Sequence, residues 1–138
     1  MFAGRDLRDV LVLENDYPET IRQLVEKFNP SKSLVSSVID HNPEVEAILS
    51  QSTKFHKLNH LSKLPITTPV GRPETIGADR LGLVVAAVDL FPEKNNLVIG
   101  LGSAITYNFI NKYHEFLGGG ISPGMEMRFK SLHHFTAL

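Results

Sequence analysis

Thr75-Ile-Gly-Ala-Asp79-Arg80, the apolar run 81–90 behind it and the loop Gly100-Leu-Gly-Ser-Ala-Ile-Thr106 are the stretch on which the reading of this chain turns. Residues 76–91 are apolar nearly all round, with Leu81, Val84, Val85 and Val88 on one face and Leu83, Ala87 and Leu90 on another. That pattern predicts a helix packed on more than one side. Leu97, Val98 and Ile99 form the continuous apolar run expected of a central strand, and 104–110 reads as a second strand after the glycine turn. The stretch therefore offers an acid at a helix start and, close behind it, a turn able to hold phosphates.

Upstream, the apolar run 10–13 reads as a short strand. Ile21, Leu24, Val25 and Phe28 then recur at helical spacing between Pro18 and Asn29-Pro30. Residues 33–39 are β-branched and strand-like, and Asn42-Pro43 opens a second helix carrying Val45, Ile48 and Leu49. Strand alternating with helix argues for an α/β layer whose sheet is at least partly parallel. Residues 53–68 read as a strand and an irregular connection, with Pro65, Pro69, Gly71 and Pro73 marking a turn. Downstream, Asn111 and Lys112 close a hairpin, and Gly118-Gly-Gly-Ile-Ser-Pro123 leads into a last helix. There Ser122 is the expected N-cap, Pro123 the first helical residue, and Met125, Phe129, Leu132 and Thr136 an inward stripe.

The composition excludes several classes. The chain has 138 residues, a net charge of -1, 42% hydrophobic residues and no cysteine. Such a balance gives no electrostatic footprint for direct nucleic-acid binding and needs no disulfide staple. Residues 81–90 are too few to span a bilayer, so the expectation is a cytoplasmic protein off the membrane. His56 and His60 have metal-like spacing without a third ligand, and adjacent His133 and His134 cannot face one ion together.

Two readings stand at each chemical motif. Asp79 either stabilises a helix start or acts as a general base toward a substrate hydroxyl. The loop 100–106 is either a tight hairpin or an anion nest of backbone N–H groups. It lacks the closing Lys-Ser/Thr of a Walker loop and the third glycine of a dinucleotide fingerprint. The cluster 118–124 is a second place where an anion or flat ligand can approach closely.

Taken in order, these motifs resemble the type III pantothenate kinases, bacterial enzymes of coenzyme A synthesis within the acetate and sugar kinase, chaperone and actin superfamily. Ser36-Ser37-Val38 is similar to a family strand motif, and Pro73-Glu-Thr-Ile-Gly-Ala-Asp-Arg80 to its Pro-x-x-x-Gly-x-Asp-Arg signature. Residues 98–108 resemble its Asp-x-Gly-Thr-Ala-x-Thr-x-Asp phosphate loop in part. Leu117-Gly-Gly-Gly-Ile-Ser-Pro-Gly124, with the helix running to Thr136-Ala137, resembles its Gly-Gly-x-Ile-x-Pro-Gly segment.

The resemblance implies an incomplete ribonuclease-H-like α/β fold, with residues 1–95 a first domain lacking its phosphate-binding strand and 96–138 the start of a second. It implies Asp79 as the base that deprotonates pantothenate, with Gly77, Ala78 and Arg80 holding that substrate. Gly102, Ser103 and Thr106 are implied to shape the ATP pocket, with Mg2+ accompanying the nucleotide and a homodimer as the assembly. A monovalent cation, potassium or ammonium, belongs to the family. Here Gly100 stands at the aspartate that would hold it, Asn108 at a second aspartate and Val70 at a substrate-contacting tyrosine. These departures motivate an alternative, a non-catalytic nucleotide-binding or transcriptional accessory protein of the kind once named Bvg accessory factor.

Overall fold

The computed structural model describes residues 1–69 and 71–136, so the expectations attached to Val70 and Ala137 lie outside the described residues. The chain divides into two compact units, Met1–Leu34 with Ile39–His56, and Val35–Val38 with Lys57–Leu138.

In the first unit, β1 (Phe2–Ala3) and β2 (Asp6–Leu7) form a minimal antiparallel hairpin around Gly4, which takes a positive φ of 63°. The run 10–13 is not a strand. Val12 is 96% exposed, and an apolar run with no neighbour to pair with gains nothing from extension. Helix α1 (Pro18–Phe28) begins with proline in its first turn. It ends at Asn29, whose left-handed backbone lets its N–H reach the Val25 carbonyl at 2.8 Å. Strand β3 (Lys32–Val35) is shorter than the run 33–39 predicts. Helix α2 (Pro43–Ser52) is capped as its sequence proposes, the Asn42 side chain accepting from the Glu44 N–H at 2.9 Å. Val45 and Ile48 of α2 are buried, and α1 lies against α2. Strand β4 (Lys54–Lys57) pairs with β3.

The second unit carries the site. Its frame is an antiparallel sheet in the order β5 (Asn96–Leu101), β6 (Ala104–Ile110), β7 (Phe116–Pro123). Helix α3 (Ala78–Leu90) covers one face. Val84, Ala87 and Val88 of α3 meet Ile110 and Phe116 of the sheet in one core cluster, and Ala78 and Leu81 meet Leu58 in another. Ile66 and Ile76 touch both clusters, so the irregular segment before α3 is tied down by apolar contact. Backbone bonds also hold it, from Thr67 N–H to the His114 carbonyl and from Phe116 N–H to the Thr67 carbonyl.

Four expectations are corrected here. Helix α3 is buried along one side only, because Leu90 is exposed and the flank it shares with Leu83 and Phe91 lines a groove of about 340 Å³ beside β5. Strand β5 is an edge strand rather than a central one, with Leu97, Ile99 and Leu101 exposed on the face away from α3. The glycine segment 118–120 is strand, paired to β6, and the N-cap of α4 (Met125–Phe135) is Gly124 rather than Ser122. Ladder pairing of Ser122 with Ile105 and of Pro123 with Ala104 holds both residues extended, which rules out helical torsions there. Ser122 still engages the helix, because its hydroxyl accepts from Arg128 Nη2 at 2.8 Å. Finally, the stripe of Met125, Phe129 and Leu132 faces outward, and α4 buries none of its residues.

Candidate active site at the start of the third helix

The polypeptide enters α3 through a short 3-10 turn, Pro73–Thr75, and Gly77 forms the N-cap. A Cβ on Gly77 would collide with Asp79 Oδ1 and come within 3.2 Å of Val38 Cγ1. Glycine is therefore needed there for the carboxylate to fold back over the helix start. Asp79 is exposed, and among the described residues its side chain makes no hydrogen bond or ion pair. It stands in the first turn, where the N–H groups without helical partners favour negative charge. Ala78 is buried against Leu58 and Leu81, so only its backbone can serve a ligand.

Arg80 turns the other way, onto the sheet. Its Nε donates to Asn108 Oδ1 at 2.6 Å and its Nη2 to the Tyr107 carbonyl at 3.4 Å. The guanidinium lies 5.6 Å from the centre of the Phe116 ring. Asn108 is fully buried, and its Nδ2 donates to the Val98 carbonyl at 3.2 Å and to Thr106 Oγ1 at 3.1 Å. One polar chain, Arg80 to Asn108 to Thr106, thus links the start of α3 to one of the residues expected at the ATP pocket, while 77 to 80 are contiguous.

Gly102 and Ser103 form the turn between β5 and β6. The Gly102 N–H donates to the Ala104 carbonyl at 3.1 Å, and the Ser103 carbonyl accepts from the Gly124 N–H at 2.9 Å. A Cβ on Gly124 would come within 2.6 Å of the Ser103 carbonyl oxygen, so the second glycine cluster packs directly on the first turn. In the sequence these are separate places for a ligand; tertiary structure joins them. Tyr107 and Phe116 carry no motif in the sequence, and their contacts with Arg80 come from strand register.

Gly100, where the resemblance implies a cation-holding aspartate, has no side chain to offer a ligand. A Cβ at Gly100 would meet Thr106 Oγ1 at 2.7 Å and Leu83 Cδ1 at 3.0 Å, so a side chain there would have to displace one or both. Asn108 is neutral, and among the described residues no group of three His, Cys, Asp or Glu side chains is placed to hold a metal ion.

The described residues form a mixed α/β chain with an exposed acid at a helix start. Residues 8–138 match the family model described as Type III pantothenate kinase. A type III pantothenate kinase of Christiangramia forsetii is 42% identical over 135 residues, covering 97% of this chain and 56% of that protein. One from Bacteroides fragilis is 37% identical over 140 residues, 99% of this chain and 56% of that protein. One from Cytophaga hutchinsonii is 43% identical over 116 residues, 84% and 48% respectively. This chain belongs to the type III pantothenate kinase family. It spans about half the length of the curated relatives it matches.

Proposed function

We propose that this chain carries the acceptor-activating part of an ATP-dependent pantothenate kinase, the first step of coenzyme A synthesis. The observation that carries the reading is the exposed, unpartnered Asp79 carboxylate at the start of α3, beside an Arg80 locked to the sheet. In the reaction, an Asp79 oxygen takes the proton of the pantothenate primary hydroxyl as the hydroxyl oxygen bonds to the γ-phosphorus. The bond from the γ-phosphorus to its bridging oxygen breaks, and ADP leaves with the electron pair. Gly77, Ala78 and Arg80 hold the acceptor; Gly102, Ser103 and Thr106 shape the ATP pocket. Mg2+ arrives with the nucleotide, and no step is assigned to a monovalent cation.

The same reading makes the fold ribonuclease-H-like, with residues 1–95 in a first domain and 96–138 opening a second. It also makes the protein a cytoplasmic homodimer with no direct contact to nucleic acid. Among the described residues no helix is long and apolar enough to cross a membrane. The family membership and the unpartnered acid favour the kinase over the non-catalytic accessory role.

The test is mass-spectrometric detection of phosphopantothenate from the purified chain with ATP, Mg2+ and pantothenate. The expected result is product from the parent and a loss of about 10²-fold or more in Asp79→Asn, the usual scale for a general base. Equal rates in the two proteins would remove Asp79 from the chemistry.

A further inference from the structure

The junction between β7 and α4 is held by a single side chain. Pro123 ends the strand, Gly124 is the N-cap and Met125 begins the helix. Gly124 has no side chain to fix the direction in which the chain leaves the sheet. Arg128, one turn into α4, bonds to three consecutive residues before it. Its backbone N–H donates to the Gly124 carbonyl at 3.0 Å, its Nε to the Pro123 carbonyl at 2.9 Å and its Nη2 to the Ser122 hydroxyl at 2.8 Å. Among the described residues the partners of its guanidinium are neutral, and a cation this near a helix N-terminus works against the helix dipole. The shape of the donor fork, rather than its charge, therefore accounts for arginine at this position.

On the other side of the junction lies the turn between β5 and β6. The Gly124 N–H donates to the Ser103 carbonyl at 2.9 Å, and a Cβ on Gly124 would collide with the Gly102 carbonyl oxygen. The turn thus rests on Gly124, which directly follows the two residues that the Arg128 side chain grips. We infer that Arg128 is a positioning residue for the nucleotide: by fixing Ser122 and Pro123 it holds the Gly124 N–H against the Ser103 carbonyl, and so sets the shape of the turn formed by Gly102 and Ser103. The inference rests on the reading of Gly102, Ser103 and Thr106 as the ATP pocket. Lysine cannot take the place of Arg128, because an ammonium on a flexible stem has no planar fork to bridge a carbonyl and a hydroxyl in one fixed geometry.

The test uses the full chain, isotopically labelled, with ATP and Mg2+ and no acceptor. By NMR without nucleotide, the Gly124 N–H should exchange with solvent about tenfold faster in Arg128→Ala than in the parent, the scale of one lost restraint. The Phe116 N–H, bonded to the Thr67 carbonyl at the opposite end of β7, should keep the parent's rate and so show that the variant is folded. By calorimetry Arg128→Ala and Arg128→Lys should each lose roughly tenfold in affinity for ATP, the scale of one hydrogen bond to a charged group. Slow Gly124 exchange in Arg128→Ala overturns the clamp. Fast exchange with the parent's ATP affinity overturns the nucleotide role, and so does parent affinity in Arg128→Lys, which would assign the effect to charge alone. If Arg128→Ala speeds Phe116 exchange as well, Ser122→Ala takes its place, with faster Gly124 exchange and weaker ATP binding expected and the absence of either overturning the inference. A parent that does not bind ATP overturns the ATP-pocket reading and the nucleotide role with it, while the exchange experiment still judges the clamp.

Discussion

Gly100 shows how one missing side chain sets the chemistry around it. The space a Cβ would take is filled by Thr106 Oγ1 and Leu83 Cδ1, and Thr106 in turn receives the Asn108 amide that holds Arg80. Gly100→Ala should therefore cost about 1 to 3 kcal/mol in thermal or urea unfolding, the usual range for overpacking a filled site. It should also release the Arg80 Nε–H to faster exchange; a variant as stable as the parent would show that Thr106 gives way freely. At this scale the sequence was legible where neighbours along the backbone are also neighbours in space. Gly77, Ala78, Asp79 and Arg80 are consecutive, and a helix start brings them together without help from the rest of the fold. Asn108 as the partner of Arg80 was not legible, since 28 residues separate the two and only packing of α3 on β6 joins them.

Among the elements, β7 departs furthest from its sequence reading. Three glycines in a row have low strand preference, which reads as a loop before a helix. The structure keeps them in register with β6, where Gly119 lies opposite Asn108 with a φ of 153°. A Cβ there would come within 2.7 Å of the Tyr107 carbonyl carbon and 3.3 Å of the Asn108 Cα, so only glycine lets the two strands approach. Gly119→Ala should destabilise the chain by about 2 kcal/mol or more, as expected for a forced backbone shift. It should also broaden the amide resonances of 107–109 and 118–120 together. Sharp, unshifted resonances would place the strain elsewhere. The helices were easier to read. Their periodicity, the Pro at the start of α1 and α2 and the Asn42 cap are local signals that need no distant partner.

On the scale of the whole molecule, the second unit leaves much apolar surface uncovered. Leu97, Ile99 and Leu101 stand opposite Phe109, Tyr107 and Ile105 in the β5–β6 register, on the face away from α3, and Leu101 is 81% exposed. The outward stripe of α4 adds Met125, Phe129 and Leu132. Apolar surface of this extent and, among the described residues, an unpaired edge at β5 favour association. Sedimentation at rising concentration should show self-association that Ile99→Lys with Leu101→Lys weakens; a monomer at all concentrations would contradict this. By itself the sequence determined the helices, strands β5 and β6 and the contiguous group around Asp79, because each depends on residues within one or two turns of one another. Tertiary structure alone decided that β5 is an edge, that α4 turns its stripe outward and that Asn108 holds Arg80. Those outcomes depend on which distant surfaces meet, and neither periodicity nor local spacing carries that information.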